Sequence, residues 1–183
     1  EGPQELFALV REALGPIHIL VNNAAYSTAV PIEQLTAEAL DHHYTVNLRA
    51  TALLCAEFVR HYPSAGGGRI INLTSGQGVV PMPTELAYAA TKGALVLLTK
   101  TQALEWATKG VTVNAICPGP FETAMNKALI DDPEKYKAFV AKIPIGRWGY
   151  MHELDGAIIF LASEASSYVT GTTLMVDGGW TAQ

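Results

Sequence analysis

The chain alternates two hydrophobic periodicities, and this alternation limits what it can fold into. Four short β-rich runs, "IHILVNN" at 17–23, "RIINLTS" at 69–75, "VTVNAIC" at 111–117 and "TTLMVDG" at 172–178, are separated by stretches of helical spacing. The first three are apolar almost throughout rather than alternating, as expected of strands covered on both faces. Leu6, Leu9, Val10, Ala13 and Leu14 recur at i, i+3, i+4, i+7 and i+8 between Pro3 and the stop Gly15-Pro16, predicting an amphipathic helix. A long helix is expected over 36–62, ended by Pro63, and another over 86–109 with Gly110 as its C-terminal cap. Asp132-Pro133 opens a shorter helix, and Leu154, Ala157, Ile158 and Leu161 mark the apolar face of the last. Strand–helix alternation predicts an α/β fold with about four parallel strands and right-handed crossovers.

Composition excludes several classes. A chain of 183 residues, 49% hydrophobic and 16% charged, is globular rather than disordered. The formal net charge is −5 with no basic block, which argues against nucleic acid as a partner. No apolar stretch reaches transmembrane length, and "EGPQELFALV" lacks a signal-peptide pattern, so a cytoplasmic location away from membranes is expected. Cys55 and Cys117 are too few for a disulfide framework and too far apart for a metal motif, and both are read as reduced thiols. The adjacent His42-His43 pair is read as a solvated helix face rather than a metal site, because helical neighbours point about 100° apart.

Each of the first three strands ends in small or polar residues: Asn22-Asn23-Ala24-Ala25, Thr74-Ser75-Gly76 and Pro118-Gly119. Open α/β sheets bind ligands beyond the carboxyl ends of their strands, so three ends converge on one candidate site. Beside them Tyr88 and Lys92 stand four residues apart, one turn of the same helix face. A cation within roughly 4–6 Å favours the phenolate and would lower the Tyr88 pKa, equipping it for proton transfer. The plainer reading is a surface tyrosine beside a solvated lysine.

The whole set, "NNAA" at 22–25, Asn47 within a helix, "LTSG" at 73–76, "YAATK" at 88–92, "PGPFETAM" at 118–125 and "VTGTTLMVDGG" at 169–179, resembles the short-chain dehydrogenase/reductase family. The likeness is to the 3-oxoacyl-carrier-protein reductase and gluconate or polyol dehydrogenase branches. It implies a Rossmann-like, doubly wound parallel sheet and an oxidoreductase that interconverts a carbonyl and a secondary alcohol with NAD or NADP. Tyr88 would exchange the proton on the substrate oxygen, and Ser75 would hydrogen-bond that oxygen. Lys92 would lower the Tyr88 pKa and bind the nicotinamide ribose. Asn47, an awkward residue in mid-helix, would hold a water in a proton relay, although it also reads as an ordinary satisfied side chain. Asn23, Ala24 and Ala25 would let the backbone approach the cofactor; the family usually has Gly at the last of these. Pro118 and Gly119 would line the nicotinamide face, with the Phe121 backbone near the carboxamide and Thr123 near the phosphates. The Phe121 side chain reads equally well as core. A serine-hydrolase reading fails, since "LTSGQG" is not G-x-S-x-G.

No G-x-G-x-x-G is present, and "AGGGR" at 65–69 precedes a strand, where a flexible turn is expected. The family's opening glycine-rich βαβ portion is therefore expected to be missing, leaving residues 1–183 a single incomplete domain. Such a chain alone is not expected to bind NAD or NADP tightly or to turn over. The competing reading is a truncated scaffold without hydride transfer, with an open strand edge near Val21 and Ile71. The segment 121–150 carries Met125, Ile130, Tyr136, Phe139 and Trp148 and is expected to cover a small or medium carbonyl or alcohol substrate, a sugar acid or an acyl ketone. The helices at 36–62 and 86–109 hold more apolar positions than one sheet face can cover, including Leu53, Leu97 and Leu104, so a homodimer or homotetramer is expected.

Overall fold

A computed structural model of the chain describes residues 2–63, 67–123 and 126–182. Met125 and part of the glycine-rich stretch at 65–69 lie outside the described residues. Four parallel strands, β1 (Ile19–Asn22), β2 (Gly68–Leu73), β3 (Val111–Pro118) and β4 (Thr173–Val176), pair in that order. The register sets Asn22 beside Asn72, Leu73 beside Ile116 and Pro118 beside Val176, which brings the carboxyl ends to one edge.

Side chains on a strand alternate between faces, so consecutive residues of β2 enter different cores. Ile70 packs with Phe7, Cys55, Phe58, Ala103 and Val113, under α1 (Pro3–Leu14), α3 (Ala50–His61) and α4 (Leu86–Trp106). Ile71 packs with Leu73, Ile116, Phe121, Leu154 and Leu161, on the side of α7 (Asp155–Ala162). A side chain as fully buried as Phe58 stabilises the fold by about 1.5–3 kcal/mol. A third cluster, built from Ile143, Trp148 and Trp180, is packed by Tyr136 and Phe139 of α6 (Pro133–Val140), which follows the short α5 (Lys127–Ile130).

Caps explain several boundaries. Thr36 accepts from the Ala39 N–H at the start of α2 (Ala37–His43), and Asp132 accepts from Lys135 N–H ahead of Pro133. Gly110 ends the 86–109 helix in the left-handed region at φ 77°, and Tyr62 Oη donates to the Lys109 carbonyl beside it.

The structure departs from expectation at five places. First, the helix at 36–62 contains a π-helical segment, Tyr44–Arg49, that carries Asn47 inward. Second, β1 is not covered on both faces: Ile19 is 45% and Val21 41% exposed. Third, Ile71 needs no missing strand to cover it, because Leu161 and Ile116 already do. Fourth, α1 buries Phe7 and leaves Leu6, Leu9 and Leu14 exposed, so its leucine stripe faces away from the core. Fifth, His43 is buried, not solvated: its Nε2 accepts from Thr28 N–H, which leaves Nδ1–H to donate to the Ala39 carbonyl.

Candidate active site

Beyond the carboxyl ends of β2 and β3 lies a cleft of about 450 Å³. Its lining includes Ser75, Gln77, Glu85, Tyr88 and Gly119 together with Phe139, Trp148 and Trp180. Ser75 continues β2 in extended backbone, and its hydroxyl accepts from the Gln77 N–H, capping the one-turn helix Gly76–Gly78. That turn seats on α4. A Cβ on Gly78 would fall 2.8 Å from the Lys92 carbonyl carbon, so only glycine permits the approach. The seating places the Ser75 hydroxyl close enough to the Tyr88 phenol to pull its pKa downward.

Burial nevertheless wins at Tyr88 and pushes the phenol above its ordinary value; Glu85 and Cys117 add to the rise. The net shift is thus opposite to the lowering that the Tyr-x-x-x-Lys spacing suggests. The Lys92 ammonium sits 5.6 Å from the centroid of the Tyr88 ring and donates to the Leu73 carbonyl at 2.7 Å. Lys92 is 2% exposed, and burial pulls its pKa down to about 8. An ammonium has three donors, and Leu73 occupies one.

Asn47 lies one layer behind. Its amide donates to the Tyr26 carbonyl at 2.9 Å and to Thr91 Oγ1 at 3.1 Å, while its oxygen accepts from the Tyr26 N–H at 2.8 Å. Thr91 in turn donates to the Tyr88 carbonyl. The Asn47 side chain therefore fastens the loop after β1 to α4, next to Lys92.

The remaining expected residues are dispersed. Asn23 and Ala24 line a separate groove along β1, while Ala25 is half-buried. Pro118 ends β3, and Gly119 packs so tightly on Asp177 that a Cβ would lie 2.6 Å from its Cα. The Phe121 side chain is core, and its carbonyl accepts from Asn126, which also donates to Thr123 Oγ1. Among the described residues the set fits the nicotinamide end of a dinucleotide: a buried ammonium beside a phenol and a hydroxyl, next to small residues at the strand ends. Gly68 and Arg69, the end of the glycine-rich "AGGGR", open β2 rather than follow a strand.

Sequence reading missed Ser27, Gln77, Glu85 and Trp180 as cleft residues. Gln77 carried a signal, standing two residues beyond Ser75; Trp180 carried one in following "VDGG" directly.

The family model described as enoyl-(acyl carrier protein) reductase matches residues 1–181. Glucose 1-dehydrogenase of Gluconobacter oxydans is 43% identical over 171 residues, covering 93% of this chain and 64% of that protein. Gluconate 5-dehydrogenase of the same organism is 39% identical over 174 residues, covering 95% of this chain and 68% of its own length. The chain thus spans roughly two thirds of the length of these relatives. Among solved structures, a gluconate 5-dehydrogenase from Burkholderia cenocepacia, in complex with NADP and tartrate, superposes with a TM-score of 0.95 at 40% identity, covering 99% of this chain and 71% of that one.

Proposed function

Because the chain belongs to the short-chain dehydrogenase/reductase family, we propose that it carries the proton-transfer centre of an NAD- or NADP-dependent oxidoreductase interconverting a carbonyl and a secondary alcohol. One observation carries the reading: the Ser75 hydroxyl and the Tyr88 phenol share one cleft beyond the strand ends, with the buried Lys92 ammonium 5.6 Å from the Tyr88 ring centroid. A bound nicotinamide supplies or takes up the hydride. During reduction Tyr88 gives its proton to the substrate oxygen, and the raised pKa keeps that proton in place at neutral pH. Ser75 donates to the same oxygen and holds it against the phenol. Lys92 offers positive charge to the phenolate as it forms, and its two remaining donors would hold the ribose of a bound nicotinamide. Asn47 positions Lys92 through Thr91. Phe139, Trp148 and Trp180 shield the reacting atoms from water. The substrate is a small or medium compound, a sugar acid or an acyl ketone.

We also place the protein in a dimer or tetramer that uses α3 and α4, because Leu53, Leu97 and Leu104 stand exposed on those helices. Tyr88→Phe in the native protein tests the main reading: turnover falls by roughly 10²–10⁴. Turnover near the parental rate would remove Tyr88 from the chemistry.

A further inference from the structure

Among the described residues, Glu85 is the one acid that lines the cleft. It stands at the N-cap of α4, where a carboxylate ordinarily accepts from the backbone N–H groups of the first turn. Its side chain makes no such bond. Half-buried, the carboxylate instead takes the Ser27 hydroxyl on Oε2 at 2.9 Å. The backbone is bent to put it there. Thr84, the preceding residue, is the only non-glycine residue with positive φ among those described, at 69°. A β-branched side chain rarely adopts that left-handed conformation, and such strain gathers at functional sites. The Thr84 carbonyl also accepts from the Val30 N–H at 2.8 Å, so the loop after β1 grips both Thr84 and Glu85.

The charge of Glu85 is left unmatched. Among the described residues no cation forms an ion pair with it, and Ser27 is the one hydrogen-bond donor to its carboxylate. Lys135, the cation of the lining, lies 2.8 Å from Asp132 and is matched there. Lys92 is buried and donates to Leu73. Tyr88 stands one turn beyond Glu85 on α4, and the Glu85 charge opposes its ionisation. The carboxylate thus acts within electrostatic reach of the phenol that meets the substrate oxygen. At such range, in a partly wet site, a like charge on the substrate changes binding by about tenfold.

We infer that Glu85 is a specificity-determining residue that sets the charge preference of the cleft, Oε1 accepting from a substrate N–H or O–H while the carboxylate repels anionic substrates. Specificity rests on such repulsive elements as much as on attractive contacts. The inference depends on the oxidoreductase reading of the same cleft and narrows it: a neutral acyl ketone is preferred to a sugar acid.

The test uses the native holoenzyme with acetoacetamide as the neutral probe and acetoacetate as its near-isosteric anion. In the parent, kcat/KM for reduction of the amide exceeds that for the acid about tenfold. Glu85→Gln keeps the shape, removes the charge and lowers this ratio about tenfold, and Glu85→Asp restores part of the preference. Any change in Tyr88 acidity acts on both probes and cancels in the ratio. Raising the ionic strength from about 0.05 M to about 0.5 M narrows the preference of the parent, a readout that needs no variant to fold. A parent that takes both probes equally, prefers the anion, shows no response to salt or keeps its preference in Glu85→Gln overturns the inference. Binding separates this failure from failure of the oxidoreductase reading. Both probes are followed by ligand-observed nuclear magnetic resonance on Tyr88→Phe holoenzyme, with and without Glu85→Gln. A preference for the amide that Glu85→Gln abolishes upholds the inference even where the parent shows no turnover. Equal affinities, a preference that survives Glu85→Gln, or binding of neither probe overturns it.

Discussion

The Lys92 ammonium is directed at the Leu73 carbonyl, 2.7 Å away, and meets Tyr88 only across the face of its ring. The pair is therefore arranged as a buried cation under an aromatic ring, not as an ion pair with a phenolate.

The buried ammonium makes stability depend on pH in a definite direction. Folded Lys92 titrates at about 8 against an ordinary 10.5, so between these values the unfolded chain holds more proton and stability rises with pH. Burial raises Cys55 from 9.0 to about 12 and also raises Cys117, so above pH 9 the thiols act in the opposite sense. The Lys92 contribution thus stands clear between about pH 8 and 9, with a slope of at most about 1.4 kcal/mol per pH unit. Urea denaturation across that window should show the rise in the parent and lose it in Lys92→Met.

The raised phenol predicts a second titration. Tyrosinate absorbance attributable to Tyr88, taken as the difference between the parent and Tyr88→Phe, should appear only above pH 10, the ordinary value. Ionisation of this residue near neutrality in the protein without ligand would restore the lowered pKa that the Tyr-x-x-x-Lys spacing suggests.

Asn47→Ala removes the side-chain partners of the half-buried Tyr26 N–H and carbonyl and one partner of Thr91. Leaving such groups unpaired costs about 1–3 kcal/mol each, so a loss of about 3 kcal/mol is expected in chemical denaturation. A variant as stable as the parent but slow in turnover would make Asn47 a relay residue without an anchoring role.

The exposed leucines predict assembly. Leu97 and Leu104 lie seven residues apart on α4, two turns along one face, and Leu104 is 83% exposed. The double variant Leu97→Glu with Leu104→Glu should convert an oligomer to a monomer by light scattering while far-ultraviolet circular dichroism is retained. A parent that is monomeric at micromolar concentration contradicts the proposal.

Much of the layout was legible because each level of the chain agrees with the others. Apolar runs such as "RIINLTS" admit few alternatives to a buried strand, and Thr36, Asp132 and Gly110 punctuate the helices where caps belong. What stayed hidden depends on contacts that spacing does not encode. The helical period of α1 marks Leu6, Leu9 and Leu14 as one stripe, yet Phe7, a quarter-turn away, is the residue that reaches the sheet. His43 is buried because the loop after β1 brings the Thr28 N–H to its ring. The direction of Lys92 is set by a carbonyl nineteen positions upstream in the chain, at Leu73. The cleft also draws on Phe139, Trp148 and Trp180, which gather only after the chain has crossed the sheet.

The seat of Gly78 on the Lys92 backbone has a consequence for how such a chain can diversify. The separation of Ser75 from Tyr88 is held by main chain against main chain, with no rotamer in between to adjust. Mutations accumulating elsewhere therefore leave the proton-transfer geometry largely insulated. The aromatic lining of the cleft, Phe139, Trp148 and Trp180, is held instead by side chains packed on one another and is freer to drift. Lineages built on this arrangement change what they accept long before they change what they do to it, and Gly78 is among the last residues that they can replace.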